Sequence, residues 1–403
     1  MNFSVSHTGK RIHIPDELIS IILSKHAKQY LGVDRLVCKT FCTLATPHMF
    51  DTAIVGSQEE TLHHFEEFAE HEIFSKMIKT VVFVTCSLEE EYATVDDYHS
   101  NLLTSHWQSA ANVPPLEQCE KHWQDYRKLS KEQAKLQQKG EDGSPSSDEI
   151  RIRKALRRMP NIKHLVISSY TPTAAHPFHK IWLPNNYTIT HSQPSHGFNI
   201  MTSALLSNGI QLCSIMQAEE RKLGGCLYNI SAKIKETFRP LRKLTLTMQN
   251  VTALNEIANY LSVGTKLEHL EIDLRIWSSE QIKDSKVFHI TWPSLRHLKL
   301  GFNIDYEPFL RFCKNHKKTL QSLHLEQVRL FGGSWEKLIK EMKEHLRLTS
   351  IRLENLDEHD DGLNFLWKTN KWDFRLREAE NYVIHGGEDP FENEVWMLGD
   401  YSQ

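Results

Sequence analysis

Cysteine and histidine side chains are the residues of this chain best able to hold a metal ion. Cys119 and His122 are spaced like two ligands of one ion, and His176 and His179 have the same spacing. A structural zinc site needs a partner pair at zinc-finger distance, and the seven scattered cysteines include no CxxC pair. We therefore expect no metal site, no cofactor and no disulfide framework.

Motifs for catalysis are missing from the sequence as well. Gly224-Gly225-Cys226 has the small residues of a nucleophile elbow but not the GxSxG context, and a turn with a buried cysteine is the simpler interpretation. There is no Walker A or GxGxxG loop for a phosphate. The acidic run between Asp357 and Asp361 lacks the pattern of an EF-hand loop. The sequence predicts a protein that is not an enzyme.

The charge balance excludes some classes of partner. The 403 residues include 48 Lys and Arg against 51 Asp and Glu, a net charge of −3. A near-neutral chain has no general attraction to nucleic acid or to an anionic membrane, so neither is an expected partner. No apolar run reaches the roughly 18 residues that cross a bilayer. Residues 1–10 are polar, unlike a signal peptide, and we expect a cytoplasmic or nuclear protein, or both.

A spaced apolar triplet, LxxLxL, recurs along the chain. The clear copies are Leu241-Leu244-Leu246, Leu267-Leu270-Ile272, Leu295-Leu298-Leu300, Leu320-Leu323-Leu325 and Leu348-Ile351-Leu353. Their starts are 26, 28, 25 and 28 residues apart, which fits the longer class of leucine-rich repeats. Weaker copies are Ile210-Cys213-Ile215, Ile162-Leu165-Ile167 and Ile78-Val81-Phe83.

Segments with helical periodicity lie between these triplets. Trp335, Leu338, Ile339 and Met342 share one helical face, with Ser334 as the N-cap. One strand and one helix per period cannot bury an apolar face alone, but stacked units can. We therefore predict an α/β fold in which an N-terminal three-helix module precedes an irregular leucine-rich-repeat solenoid, a curved parallel sheet with helices outside. The alternative is an ordinary α/β domain with parallel strands.

The N-terminal part reads as a compact helical block. Pro15 occupies a favoured first-turn position, and Leu18, Ile19, Ile22 and Leu23 follow at helical spacing. We expect Asp34 to cap a second helix, and Thr46-Pro47 to end it. The predicted boundaries are residues 10–55 for this module and 56–403 for the repeats. We also expect a polar linker or loop near 128–148 and the clearest repeats over 205–356.

The helical block resembles an F-box. The resemblance is carried by Ile14-Pro15-Asp16-Glu17-Leu18-Ile19, by Arg35-Leu36-Val37-Cys38-Lys39-Thr40-Phe41 and by the exit Leu44-Ala45-Thr46-Pro47-His48-Met49-Phe50. The family opens with Leu-Pro-x-Glu-Leu-Leu and has a Val-Cys-Lys core. An F-box followed by irregular repeats is similar to the fungal F-box proteins with leucine-rich repeats. Two departures are the polar stretch 24–33, where the family has a connecting helix with Asp-Leu, and Phe41 where many members have Trp.

The resemblance implies a binding role rather than a catalytic one. F-boxes dock on a Skp-type adaptor, and through it on a cullin scaffold, by packing apolar helix faces into a groove. The residues that match the family's adaptor-binding positions are Pro15, Leu18, Ile22, Leu36, Val37, Lys39 and Phe41. The alternative for the apolar members is that they form the module's own core, and for Lys39 that it is a solvated lysine.

Target recognition would fall to the residues between the apolar positions of each repeat, which face the concave side of a solenoid. The candidate target-binding residues are Lys243, His269, Glu271, Arg296, His297, Lys299, His324 and Arg352. The charges of these residues alternate between repeats, and none of the residues is Phe, Tyr or Trp. This pattern favours a mixed-charge protein target over a nucleic acid.

Two functions follow from these patterns. The first is the substrate receptor of a Skp/cullin/F-box-type ubiquitin ligase, which would hold an unknown protein substrate for ubiquitination. The second is a leucine-rich-repeat scaffold that acts outside a ubiquitin ligase.

Overall fold

The structure is a computed structural model of the chain. It describes residues 2–4, 11–26, 28–85, 88, 92, 94–105, 115–168, 194–217, 235–248, 251–274, 285–360, 363–366 and 370–392. The strands are β1 (Asn2–Ser4), β2 (Arg11–His13), β3 (Thr52–Gly56), β4 (Thr80–Val84), β5 (His164–Ser168), β6 (Ser214–Gln217), β7 (Lys243–Met248), β8 (His269–Leu274), β9 (His297–Gly301), β10 (Ile304–Asp305), β11 (Ser322–Glu326), β12 (Arg329–Phe331), β13 (Ser350–Glu354), β14 (Asp357–Asp360) and β15 (Leu363–Leu366).

Helices alternate with these strands over most of the described chain. They are α1 (Asp16–Lys25), α2 (Lys28–Asp34), α3 (Lys39–Met49), α4 (Glu59–Glu70), α5 (Phe74–Met77), α6 (Val95–Ser105), α7 (Leu116–Gln137), α8 (Ser147–Leu156), α9 (Pro194–Ser207), α10 (Lys235–Phe238), α11 (Val251–Leu261), α12 (Tyr306–Asn315), α13 (Trp335–His345) and α14 (Asn370–His385), with a 3₁₀-helix at Lys286–His289. Within the described residues, none of these helices is long and apolar enough to span a bilayer.

One parallel sheet of nine strands organises the chain. Its order is β3-β4-β5-β6-β7-β8-β9-β11-β13, so neighbouring strands follow one another in the sequence. Every predicted triplet, including the three weaker copies, runs into one of these strands, and the predicted α/β class is confirmed. The first strand of this sheet, Thr52–Gly56, lies outside the repeat pattern of the sequence.

The core of the array lies on one side of this sheet. Successive strand residues alternate in burial, as in β8, where Leu270 and Ile272 are fully buried between partly exposed neighbours. The buried strand residues meet the apolar faces of the intervening helices, and the resulting core is continuous from Ala53 to Val383. Each unit therefore buries its apolar face against the next one along the chain.

A second, smaller sheet begins where two of these strands end. The chain turns through a left-handed backbone conformation at Gln327 (φ 56°) and at Asn355 (φ 50°), one repeat later. After these turns it enters β12 and β14, which pair in parallel with each other, while β10 and β15 flank them. This sheet has no periodic signal in the sequence.

The second and third N-terminal helices begin or end at residues other than those that the sequence predicts. Asp34 ends α2 rather than capping the next helix; α3 is capped by Cys38, whose Sγ accepts a hydrogen bond from the Phe41 amide at 3.5 Å. Pro47 lies inside α3, which ends at Met49. A proline is tolerated there because only the last helical turn follows it, so the missing N–H removes a single backbone bond.

An insertion between β4 and β5 carries α6 and α7. Tyr98 of α6 and Tyr126 of α7 form a second buried cluster with Tyr92, the α6–α7 cluster. Ile54 of β3 packs against this cluster. The linker expected near 128–148 is much shorter, because α7 continues to Gln137 and buries Ser130 and other residues of its last turns. The polar loop itself is confined to 138–146, where Gly, Ser and Pro prevent the helix from continuing.

Candidate functional site

The N-terminal module, residues 11–50, carries a concentrated apolar surface. Among the described residues, seven of the thirteen exposed large apolar side chains belong to this short segment. We call them the apolar patch: Leu18, Ile21, Ile22, Tyr30, Val33, Leu36 and Val37. Leu36 is 85% exposed and Val37 is 59% exposed, in the turn between α2 and α3. Such a local excess of exposed apolar residues is typical of a protein-interaction surface.

The same module has only a small core of its own. Ile19, Leu23, Leu31 and Ala45 are buried in it, and Phe41 packs against them. Among the residues that resemble the family's adaptor-binding positions, the structure therefore places Leu18, Ile22, Leu36 and Val37 outward. Pro15 and Lys39 are exposed as well, whereas Phe41 faces the module's core.

Phe50 joins the module to the array. Its ring stacks on Phe74 at 4.6 Å between centroids and lies 6.5 Å from Phe68, both in the first helices of the array. The guanidinium of Arg35 lies 5.5 Å from the centre of the Phe50 ring. These contacts hold the module against the array while the apolar patch stays exposed.

The face of the sheet opposite the core, which we call the open face, has two chemically different halves. The α6–α7 cluster covers this face at β3 and β4, where Ile54 and Val84 pack into that cluster. The central row of the open face consists of in-register residues, one from each strand: Ile54, Val82, Val166, Met216, Thr245, Glu271, Lys299, His324 and Arg352. The row is apolar over the first four strands and polar or charged over the last five. The last four residues of the row, Glu271, Lys299, His324 and Arg352, are among the predicted target-binding residues.

The charged half of this row is largely neutralised by its own ion pairs. Lys299 lies 3.0 Å from Glu271 and 3.1 Å from Glu326, and His324 lies 3.4 Å from Glu354. Arg352 also binds Glu354. Burial raises the pKa of Glu354, but the bonds from Arg352 and His324 outweigh this effect, so the pKa is below its ordinary value. Lys299, His324 and Arg352 are therefore brought together by the sheet, but mainly on carboxylates of the same chain.

The other predicted target-binding residues lie nearer the edge where the strands begin. His269 and His297 pair across β8 and β9 with ring centroids 5.3 Å apart, beside exposed Lys243 and Arg296. Burial, together with the positive charge of Lys243 and the neighbouring His297, lowers the pKa of His269. This end of the open face is therefore basic.

Besides Arg296, three more exposed cations extend this basic edge, which sequence analysis recognised only in part. Each residue directly before β4, β5, β7 and β9 is basic: Lys79, Lys163, Arg242 and Arg296. The signal was present in the sequence, because each of these residues follows the first apolar position of a triplet. It emerges only when the weaker triplets are placed in register with the clear ones.

Among the described residues, two groups of His and Glu side chains bring potential metal ligands within 4.8 Å of one another: His324 with Glu326 and Glu354, and Glu341 with Glu344 and His345. The first group already binds Lys299 and Arg352 through its carboxylates, and in the second Glu341 binds Lys314 at 2.9 Å. Nearby cations oppose a further positive ion, so these groups serve as ion pairs.

Asp148 contacts serine and histidine side chains, the residue types that accompany an aspartate in hydrolytic triads. Its buried carboxylate accepts hydrogen bonds from Ser57 (2.6 Å) and Ser146 (2.5 Å) and lies 3.0 Å from Nε2 of His196. Burial raises the pKa of Asp148, but the bonds from His196, Ser146 and Ser57 keep it below its ordinary value. Because Ser57 and His196 both bind the carboxylate, the arrangement fastens α8 and α9 to the end of β3 and provides no activated hydroxyl.

Of the cysteine and histidine residues considered as metal ligands or nucleophiles, some lie in the described part of the chain and others outside it. Cys119 is fully buried on α7, and burial raises the pKa of its thiol, which disfavours the reactive thiolate. His176, His179 and the Gly224–Cys226 turn lie outside the described residues.

Comparison with known proteins adds no relative to this description. No protein-family model matches the chain, and no curated protein matches it.

Proposed function

We propose that this protein is the substrate receptor of a Skp/cullin/F-box-type ubiquitin ligase. In this function the N-terminal module binds the Skp-type adaptor, and the leucine-rich-repeat-like array holds a target protein. The chain contributes no catalytic group; it would accelerate ubiquitin transfer by bringing the target close to the transferring enzyme.

The observation that carries the proposal is the apolar patch on the N-terminal module. Leu18 and Ile22 share one face of α1, and Leu36 and Val37 project from the turn between α2 and α3. A module of about forty residues cannot bury these side chains itself, and a groove on a partner protein would cover them. Their positions are those that resemble the adaptor-binding residues of an F-box.

The array supports the second half of the function. Beyond the α6–α7 cluster, its open face presents a row of side chains that includes the apolar Val166 and Met216 and the charged residues from Glu271 to Arg352. An extended surface of mixed polarity suits a protein target, because apolar contacts give affinity and charged contacts select the register.

Co-purification with a Skp-type adaptor tests the proposal. We expect the wild-type chain to form a stable complex, and Leu36→Ser/Val37→Ser to weaken it about tenfold or more, because exposed apolar anchors dominate such interfaces. The matched control is Leu103→Ser/Leu206→Ser, which changes two other apolar side chains that are 41% and 39% exposed. The control should bind the adaptor like the wild type.

The outcomes separate the two candidate functions. Failure of the wild-type chain to bind any Skp-type adaptor would overturn the ligase proposal and favour a scaffold that acts elsewhere. Equal binding by both double variants would show that the apolar patch is not the adaptor surface. Thermal unfolding of each variant, measured alongside, identifies a loss of binding that merely reflects misfolding.

A further inference from the structure

The loops that lead from a helix into a strand of the nine-stranded sheet are strongly basic. One such loop precedes each strand, and because the strands are parallel, all nine loops lie at the same edge of the sheet. They contain eleven Lys and Arg but only two Asp and Glu, although the whole chain has a net charge of −3. We call the eleven basic residues the basic rim: Lys79, Arg157, Arg158, Lys163, Arg239, Arg242, Lys266, Arg296, Lys317, Lys318 and Arg347.

The charge of the basic rim is exposed and mostly unpaired. All eleven residues are exposed. Three of them, Arg158, Arg239 and Arg242, lie between 2.9 and 3.3 Å from a glutamate carboxylate. The other eight have no ion-paired carboxylate in the part of the chain that the structure describes. The two acidic residues of the loops, Asp51 and Glu268, are partly buried, so most of the positive charge remains available to a ligand.

Two histidines beside the basic rim respond to the positive charge at this edge. Burial lowers the pKa of His164 at the start of β5, and the adjacent Lys163 lowers it further. Burial and the positive charge of Lys243 likewise lower the pKa of His269 at the start of β8. Positive charge disfavours the protonated form of an imidazole ring. The positive field therefore acts at both of these strands, and it favours an anionic partner.

The dimensions of the edge and its lack of apolar residues indicate the class of partner. Adjacent strands are about 4.8 Å apart, so nine strands give an edge about 38 Å long. One turn of a nucleic-acid duplex has a similar length, roughly 34 Å. None of the exposed large apolar side chains lies in the nine loops, all of which the structure describes. Protein interfaces need an apolar core and amphipathic membrane contacts need inserted apolar residues, whereas electrostatic binding to phosphates needs neither.

The aromatic residues of the loops favour a duplex over a single strand. Phe50 and Trp292 are the aromatic residues of this type in the nine loops, and neither is exposed. Single-stranded nucleic acid is held largely by bases that stack on exposed aromatic rings. A duplex keeps its bases stacked and presents its phosphates outward, so lysine and arginine side chains are sufficient to bind it.

We propose that the basic rim binds the phosphate backbone of a nucleic-acid duplex without reading the base sequence. A near-neutral chain has no general attraction to nucleic acid, but affinity follows from the cations that face the phosphates, and here these cations are segregated to one edge. This contact does not depend on the proposed ligase function, because the apolar patch lies on the N-terminal module and the basic rim lies on the array.

Fluorescence anisotropy with the full-length chain tests this contact. The probes are labelled DNA and RNA duplexes of about 20 base pairs, or two helical turns, and a single DNA strand of the same length. We expect at least one duplex to bind with a dissociation constant of about 1–100 μM near physiological salt, and more tightly than the single strand. The affinity should fall steeply as the salt concentration rises, because the release of counterions drives such binding.

Charge reversal at two separate places shows whether the contact uses the length of the rim. Lys79→Glu/Lys163→Glu changes the loops before β4 and β5, and Lys317→Glu/Lys318→Glu changes the loop before β11. Each double variant should weaken duplex binding about tenfold or more. Each should also reduce the slope of log K against log salt by about 2, one for each lost phosphate contact.

The matched control is Lys121→Glu/Lys128→Glu, an equal change of charge at two exposed lysines of α7. This control should bind both duplexes like the wild type. Thermal unfolding of all three double variants identifies a loss of binding that merely reflects misfolding. Losses confined to the two rim variants support the contact, and a preference for the DNA or the RNA duplex then identifies the backbone that it fits.

Several results would overturn the proposal. They are failure of the wild-type chain to bind either duplex, tighter binding of the single strand, an equal loss in the α7 control, and a loss in only one of the two rim variants. Displacement of the duplex by phosphatidylserine vesicles or by polyglutamate, at an equal concentration of negative charge, would instead assign the rim to a membrane or to an acidic protein.

Discussion

His316 is a buried histidine with both ring nitrogens engaged. The Trp292 backbone amide donates to its Nε2 at 2.9 Å, which places the ring proton on Nδ1, where it is donated to the Phe312 carbonyl oxygen at 2.8 Å. Burial lowers the pKa of His316 below its ordinary value of 6.5. The neutral ring therefore fixes the segment before β9 to the end of α12.

Protonation of His316 should destabilise the fold as the pH falls. Below pH 6.5 the unfolded chain binds a proton that the folded chain resists, so the contribution of this ring is complete above that pH and declines beneath it. We expect His316→Gln, which offers an oxygen acceptor that does not titrate, to show a smaller loss of unfolding free energy between pH 7 and pH 5. Denaturant titrations at these two pH values measure the difference.

Comparison with another histidine isolates this effect from the remaining titrating groups. His64 is exposed on α4, and His64→Gln should leave the wild-type pH dependence unchanged. The same pH dependence in wild type and His316→Gln would show that the ring does not resist protonation in the folded chain.

At the scale of elements, the repeated left-handed turn lets a strand of the large sheet continue into the small one. Gln327 adopts this conformation, and its amide donates to the Glu354 carbonyl oxygen of the neighbouring unit at 2.9 Å. We expect Gln327→Val to lower the unfolding free energy by about 1–2 kcal/mol, because a β-branched residue is strained at positive φ. Gln327→Gly should stay within about 1 kcal/mol of the wild type. Thermal and denaturant unfolding measure both changes.

An exposed glutamine before β11 provides the control for that substitution. Gln321 has an ordinary backbone conformation, and its amide donates to Arg296 in the regular pattern of the sheet. Gln321→Val should therefore change stability by less than about 0.5 kcal/mol. Equal losses for valine at the two positions would mean that the turn is not strained.

The elements that could be predicted from sequence are those with a strong period. The last two apolar positions of each triplet, such as Leu244 and Leu246, indicate the buried side of a strand, and their recurrence predicted the parallel arrangement. The small sheet escaped prediction because strands of two to four residues carry no period. The boundary at Asp34 was misplaced because a capping residue type also occurs at helix ends.

The candidate sites were predictable to different degrees. The apolar patch was accessible only through its resemblance to a family, because spacing alone does not distinguish exposed Leu18 from buried Ile19. The ion pairs that engage Lys299 and Arg352 required the register of the strands. A cavity where β5, β6 and β7 begin, lined in part by Arg157 and Lys266, required the three-dimensional packing of loops, since these two residues are distant in sequence and outside the triplets.

At the scale of the whole molecule, the two parts differ greatly in the core that supports them. The array shares one continuous core from Ala53 to Val383, while the N-terminal module depends on a four-residue cluster around Leu23 and on the contacts of Phe50. Local stability follows the amount of buried apolar contact, so the two parts should open at different free energies.

Hydrogen exchange of the isolated chain should reveal this difference. We expect backbone amides of α1 and α3 to exchange faster than those of β7, β8 and β9, because opening the module breaks only its own small cluster. Addition of a Skp-type adaptor should slow exchange in α1 and α3 specifically, since a partner that covers the apolar patch stabilises the closed form by mass action. Uniformly slow exchange in the isolated chain would contradict a weakly supported module. Protection that appeared only in the strands of the array after addition of the adaptor would place the contact on the open face.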